Sequence, residues 1–137
     1  MKRILIDTDV IMDFFFDRAP YWDDAEEILS LFESRETKGH ITSLIICNVH
    51  YQLQQTSMIE KLLQLLTITE VLSTDKNVIP IAMNSKFRDF KDALQNYSAE
   101  RDGQIDLILK RNIKGFKNSS LAIMTPTNYL KTTIARR

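Results

Sequence analysis

The chain has 137 residues, 44% of them hydrophobic and 26% charged, which suits one domain with a single core spanning 1–137 and excludes a disordered or membrane-embedded polymer. No apolar run approaches the ~20 residues that span a bilayer, and the run after "MKR" is too short for a signal peptide. Net charge is formally zero, with 18 basic and 18 acidic residues, but the charges segregate. Ten acids and two bases lie between Asp7 and Glu36, whereas after Asp106 there are no acids and seven bases: Lys110, Arg111, Lys114, Lys117, Lys131, Arg136 and Arg137. A basic C-terminal third can contact phosphates, or can simply be a solvated surface and tail.

In chain order, "RILI" reads as a short strand buried on both faces, the kind found in parallel sheets. It ends at Asp7, and Asp9 follows as a candidate N-cap for the next helix. "WDDAEEILSLFES" spaces Trp22, Ala25, Ile28, Leu29 and Phe32 on one helical face with acids on the other. "HIT" predicts a second strand. "SLIICNVHYQLQQ" predicts a largely buried helix with Ser43 as N-cap and Cys47 as a small core residue. That lone cysteine excludes an internal disulfide and suits a reducing cytosol.

"SMIEKLLQLL" carries Ser57 and Glu60 at the spacing of a capping box. "EVL" predicts a third strand, and residues 75–84 a helix in which Pro80 must either sit in a first turn or cause a break. "RDFKDALQNYSAERDG" predicts a helix capped by Asp89, with an apolar stripe of Phe90, Ala93, Leu94 and Tyr97 and with Gly103 at its C-terminal end. "IDLIL" and "LAIM" predict strands four and five, and "TPTNYL" a short last helix. Strands alternating with helices predict a parallel sheet covered on both faces.

In open α/β sheets, ligands bind beyond the carboxyl ends of the strands. Asp7 lies at such an end, Asp92 can point to that edge from the long helix, with Asp89 and Asn96 on the same side of it, and Asn112 follows strand four. Carboxylates gathered at one edge repel unless a cation sits among them, and oxygen ligands favour Mg²⁺ or Mn²⁺. Such an ion can activate water and polarise a phosphate, the chemistry of hydrolytic nucleases. The alternatives are structural: Asp7 as a strand-end cap, Asp92 as a solvated helix residue. Asp106, His40 and His50 read as structural, the histidines because no metal-ligand spacing accompanies them. A receiver-type signalling domain would need an acid ending strand three and a lysine ending strand five, and "EVLSTD" and "LAIMTP" supply neither.

Two stretches resemble the PIN-domain superfamily, the fold of VapC-type toxins. "ILIDTDVIMDFF" is similar to its opening strand and loop, and "RDFKDALQNYSAERDGQIDLILKRNIKGFKNSSLAIMTPTNYL" to its C-terminal half. The resemblance implies a three-layer α/β/α fold with a central five-stranded parallel sheet, and Mg²⁺- or Mn²⁺-dependent cleavage of RNA in the cytoplasm. It also implies an inhibitory antitoxin partner and a homodimer. Carried across, it implies Asp7 and Asp92 as metal ligands, Asn112 with them in the catalytic set, and Asp9, Asn48 and Asp89 in support. Lys110, Arg111, Lys114 and Lys117 would then hold the RNA backbone. Three positions depart from the family's pattern. Asn48 and Gly115 stand where acids are usual, and Lys110 where a small hydroxyl residue is frequent; its charge could partly fill the lost cationic role or simply deter metal. Losing carboxylates weakens divalent-ion affinity. This opens a second expectation, a catalytically weakened PIN-like domain that binds RNA or protein as a regulatory module.

Overall fold

The short apolar runs become five strands: β1 (Lys2–Ile6), β2 (Thr37–Thr42), β3 (Thr69–Leu72), β4 (Leu107–Leu109) and β5 (Ala122–Met124). The structure is a computed structural model that describes residues 1–135; Arg136 and Arg137 of the basic tail lie outside the described residues. The strands form one sheet in the order β3-β2-β1-β4-β5, with every neighbouring pair parallel. Ile4, Leu5 and Ile6 of β1 and Ile108 and Leu109 of β4 have no solvent exposure. Their uninterrupted apolar character is that of central strands covered on both faces.

Right-handed crossovers assign the layers. The steps from β1 to β2 to β3 run one way across the sheet. They carry α1 (Thr8–Phe15), α2 (Trp22–Glu33), α3 (Ser43–Leu53) and α4 (Ile59–Thr67) over one face. The return from β3 to β4 carries α5 (Val78–Met83) and α6 (Phe90–Asp102) over the other. The last helix, α7 (Pro126–Ala135), packs on α2. The result is the three-layer α/β/α arrangement expected from the sequence. Close layer contact has a visible cause at Gly39 in β2, where an added Cβ would overlap the buried ring of Phe32.

Several local expectations are corrected. Ser43 is already helical, and the cap of α3 is Thr42, whose Oγ1 accepts from Ile45 N–H at 3.1 Å. Ser57 and Glu60 form no capping box: α4 starts at Ile59, and Thr56 Oγ1 instead accepts from Met58 N–H at 3.1 Å. Asp9 is in the first turn of α1, and the N-cap position belongs to Asp7. Cys47 is exposed, because Ile45, Val49 and Leu53, at helical spacing, take the inward face of α3. The predicted apolar stripe of α6 does not face inward as a whole, since Phe90 is 47% exposed. Its buried side chains are Ala93, Gln95, Asn96, Ser98 and Ala99. Burial of Asn96 is tolerable because Nδ2 donates to Glu100 Oε2 at 2.7 Å and Oδ1 accepts from the Ser119 hydroxyl. Asp89 does cap α6, accepting from the N–H groups of Lys91 and Asp92, and Gly103 ends it with φ of 77°. Among the described residues, no helix is long and apolar enough to cross a membrane.

Candidate active-site cleft at the ends of strands β1 and β4

The chain leaves β1 toward β2 on one side, and β4 returns on the other. The strand order therefore switches between β1 and β4, where open α/β sheets form their clefts. Ile6 pairs with Leu109, so the next residues, Asp7 and Lys110, emerge side by side. Backbone bonds fix both: Asp7 N–H donates to the Leu109 carbonyl at 3.1 Å, and Lys110 N–H to that of Met124 at 3.0 Å. The Lys110 ammonium then donates to Asp7 Oδ2 at 2.9 Å and to Asp92 Oδ1 at 3.4 Å. Asp92 reaches it from the first turn of α6, whose start Asp89 fixes. The ring of Phe116 completes the seat, its centroid 4.2 Å from Lys110 Nζ. Asp7 and Lys110 are 7% and 6% exposed, whereas the Asp92 side chain is 28% exposed and faces the cleft.

The charges are unequally held. Burial works against the Lys110 ammonium, but Asp7, by charge and hydrogen bond, and Asp92 together raise its pKa above the ordinary lysine value. Burial raises the pKa of Asp92 and outweighs the attraction of Lys110, with Asp89 and Asp7 adding repulsion. Lys110 is thus a firmly charged group whose close partner is Asp7, with Asp92 as the looser third member.

The cleft above this triad has a volume of about 390 Å³, and its wall includes Thr8, Asp9, Asn48, Asp89 and Asn112. Most of the predicted site residues therefore converge here: Asp7, Asp9, Asn48, Asp89, Asp92, Lys110, Asn112 and Lys114. Asn112 Oδ1 accepts from Lys114 N–H at 3.1 Å, a local turn bond. Two expected RNA contacts lie elsewhere. Arg111 turns away from the cleft to Asp13, Asp9 and the ring of Tyr21. Lys117 lines a separate hollow with Ile113, Phe116 and Ile123. Gly115, at φ of 88°, lines that hollow too, so no side chain stands at the position where an acid is usual.

Sequence reasoning missed Thr8, Tyr51, Gln52, Lys91 and Gln95, all of which line the cleft. Tyr51 and Gln52 stand three and four residues after Asn48 on α3, and Gln95 three after Asp92 on α6. Helical spacing from a residue already singled out would have found them. Thr8 Oγ1 and Gln95 Oε1 are buried and make no hydrogen bond.

A divalent metal does not fit this set. Of the four carboxylates that line the cleft, Asp7 and Asp92 already neutralise Lys110, Asp89 caps α6 by accepting from the N–H groups of Lys91 and Asp92, and Asp9 lies 3.9 Å from Arg111. Asn48, Asn112, Thr8 and Gln95 can offer oxygen without charge. A doubly charged ion 4 Å from the ammonium would be repelled by about 8 kcal/mol at an effective dielectric constant of about 20, twice the value for unit charges. Among the described residues, no group of three or more His, Cys, Asp or Glu is arranged to hold a metal.

Comparison with known proteins agrees with this geometry at the level of fold. Residues 3–114 match the family description "PIN domain". No curated protein matches the sequence. A toxin–antitoxin complex from Klebsiella pneumoniae superposes with a TM-score of 0.70 at 17% identity, covering 90% of this chain and 97% of that one. FitAcB from Neisseria gonorrhoeae superposes with a TM-score of 0.66 at 15% identity, covering 90% and 98%. VapBC2 from Rickettsia felis, bound to a DNA fragment from its promoter, gives 0.60 at 14% identity, covering 89% and 96%. At these identities the likeness is one of fold, and the sequence match over most of the chain carries the family assignment. The chain belongs to the PIN domain family.

Proposed function

We propose that this chain is a single-domain RNA-binding PIN protein of the toxin–antitoxin type, in which metal-dependent cleavage is weakened or lost. The observation that carries this reading is the Lys110 ammonium held between Asp7 and Asp92, where hydrolysis by a divalent ion would need the two carboxylates free. Support for RNA as ligand comes from the cleft wall. Lys91 and Lys114 offer charge to a phosphodiester, and Tyr51, 73% exposed, offers a face on which a base can stack. The likeness to a toxin–antitoxin complex supports an antitoxin as protein partner.

A second reading keeps the convergence of Asp7 and Asp92 as a Mg²⁺- or Mn²⁺-dependent endoribonuclease site, with Asn112 beside them. The two readings separate in one experiment. Fluorescence anisotropy with labelled single-stranded RNA is run in EDTA and in Mn²⁺, beside a cleavage assay and a DNA of the same sequence. The expected result is RNA binding unchanged by EDTA, weakened by Lys91→Glu and Lys114→Glu, with no turnover. Cleavage by the wild-type protein at catalytic concentrations in Mn²⁺, lost in Asp7→Asn, would establish the second reading instead.

A further inference from the structure

We infer that Lys110 is a resident cation: its ammonium takes the place of a divalent ion between Asp7 and Asp92, so the domain assembles its cleft without metal and excludes metal from it. This deepens the reading above and rests on it for the role of the cleft.

Three features make the lysine a fixture rather than a surface side chain that folds inward. Its backbone is pinned at a strand end, by Lys110 N–H to Met124 at 3.0 Å, one position beyond the Ile6–Leu109 pair of β1 and β4. Its side chain is enclosed, with the Phe116 ring on one side of the ammonium and two carboxylates on the other. Its partners arrive from different elements, Asp7 from the end of β1 and Asp92 from α6. One ammonium thereby joins β1, β4 and α6, the mechanical task a shared metal ion performs where carboxylates converge. The exchange is chemically specific. An ammonium donates three hydrogen bonds and carries one charge, which suits two carboxylates and a ring. A hard divalent ion asks for six or more oxygens and several charges, and the neighbouring Asn48 and Asn112 supply none of the latter. An ion could sit between Asp7 and Asp92 only by displacing a buried lysine whose ammonium lies against the Phe116 ring.

The test is metal binding without RNA, so that its failure and a failure to bind RNA are separate results. Mn²⁺ is titrated into wild-type protein, Lys110→Thr and Lys110→Arg, with the free-Mn²⁺ electron paramagnetic resonance signal and the melting temperature as readouts. Wild type and Lys110→Arg are expected to leave the Mn²⁺ signal unchanged up to about 1 mM, the weak end of protein sites for such ions, with no shift in melting temperature. Lys110→Thr is expected to bind Mn²⁺ at least about tenfold more tightly, by removing the competing charge, and to gain melting temperature with added Mn²⁺. Stoichiometric Mn²⁺ binding by the wild-type protein, abolished by Asp7→Asn, would overturn the inference. So would a folded Lys110→Thr that binds no better than wild type. If Lys110→Thr does not fold in metal-free buffer, its refolding on addition of Mn²⁺ supports the inference, and failure to refold overturns it.

Discussion

Lys110 and Arg111 are consecutive cations at the end of β4, and they serve opposite ends of the charge ledger. Lys110 goes to the cleft, where one ammonium meets two carboxylates, Asp7 and Asp92. Arg111 goes to the flank of α1, where the buried Asp13 meets two guanidiniums, Arg111 at 2.8 Å and Arg18 at 3.8 Å. There Arg111 also stacks on Tyr21 at 4.7 Å and lies 3.9 Å from Asp9. The first cluster has surplus acid and opens to a cleft. The second is balanced and closed by a ring, and it clamps the β4 end to α1. The alternation of a strand end sends neighbouring side chains to opposite sides, so two similar residues become a candidate ligand site and a brace.

The largest expected difference between the two clusters lies in what remains after an acid is removed. Asp7→Ala strands a buried ammonium with only the looser Asp92, and its cost is about 3–5 kcal/mol in urea unfolding at pH 7. Asp13→Ala leaves guanidiniums that are already 31% and 39% exposed and can hydrate, so its cost is about 1–3 kcal/mol. Equal losses would break the distinction between an enclosed cation and solvent-reachable ones. Arg111→Lys sharpens it from the other side. It keeps the charge but loses the fork and the stacking on Tyr21, and is expected to cost about 1–2 kcal/mol with RNA binding unchanged.

The clusters also differ in how they meet alkali. The folded pKa of Lys110 lies above its ordinary value of 10.5. Its pairing therefore contributes stability in full below that value, and loses it as pH rises through the higher folded pKa. Melting temperatures from pH 9 to 12 should fall on an alkaline limb that Lys110→Met flattens and Arg111→Lys retains. An identical limb in all three proteins would remove Lys110 from its proposed place.

The sequence made one half of this picture legible. Apolar runs ending at Asp7 and at Lys110 mark two strand ends, and Asp92 sits on the face of α6 that helical spacing assigns to the cleft edge. What it could not disclose is that Asp7 and Lys110, 103 residues apart, are side by side. That follows from the strand order and the register of β1 on β4, which no local pattern encodes. The lysine accordingly reads equally as a phosphate contact, a stand-in for a lost cation or a deterrent to metal until its neighbour is known. The Asp13–Arg111 brace, across 98 residues, is hidden for the same reason. Cys47 fails differently: an apolar run in a helix looks uniformly buried, yet only the i, i+4, i+8 set of Ile45, Val49 and Leu53 faces the sheet.

The smallest expected effect falls inside the triad itself and separates its two acids. Burial lifts the pKa of Asp92 despite Lys110, so the folded protein holds this proton more tightly than the unfolded chain does. Stability therefore declines as pH rises from the ordinary value of 3.8 through the raised one, the reverse of a well-paired carboxylate. Asp92→Asn removes a charge that burial already disfavours and keeps an oxygen for the ammonium. Its expected cost at pH 7 is within about 1 kcal/mol of zero, and the decline that sets in as pH rises above the ordinary carboxylate value should disappear from its stability profile. A loss as large as that of Asp7→Ala would mean that the ammonium is shared equally. Lys110 would then bridge two equivalent acids instead of pairing with Asp7 and leaning toward Asp92.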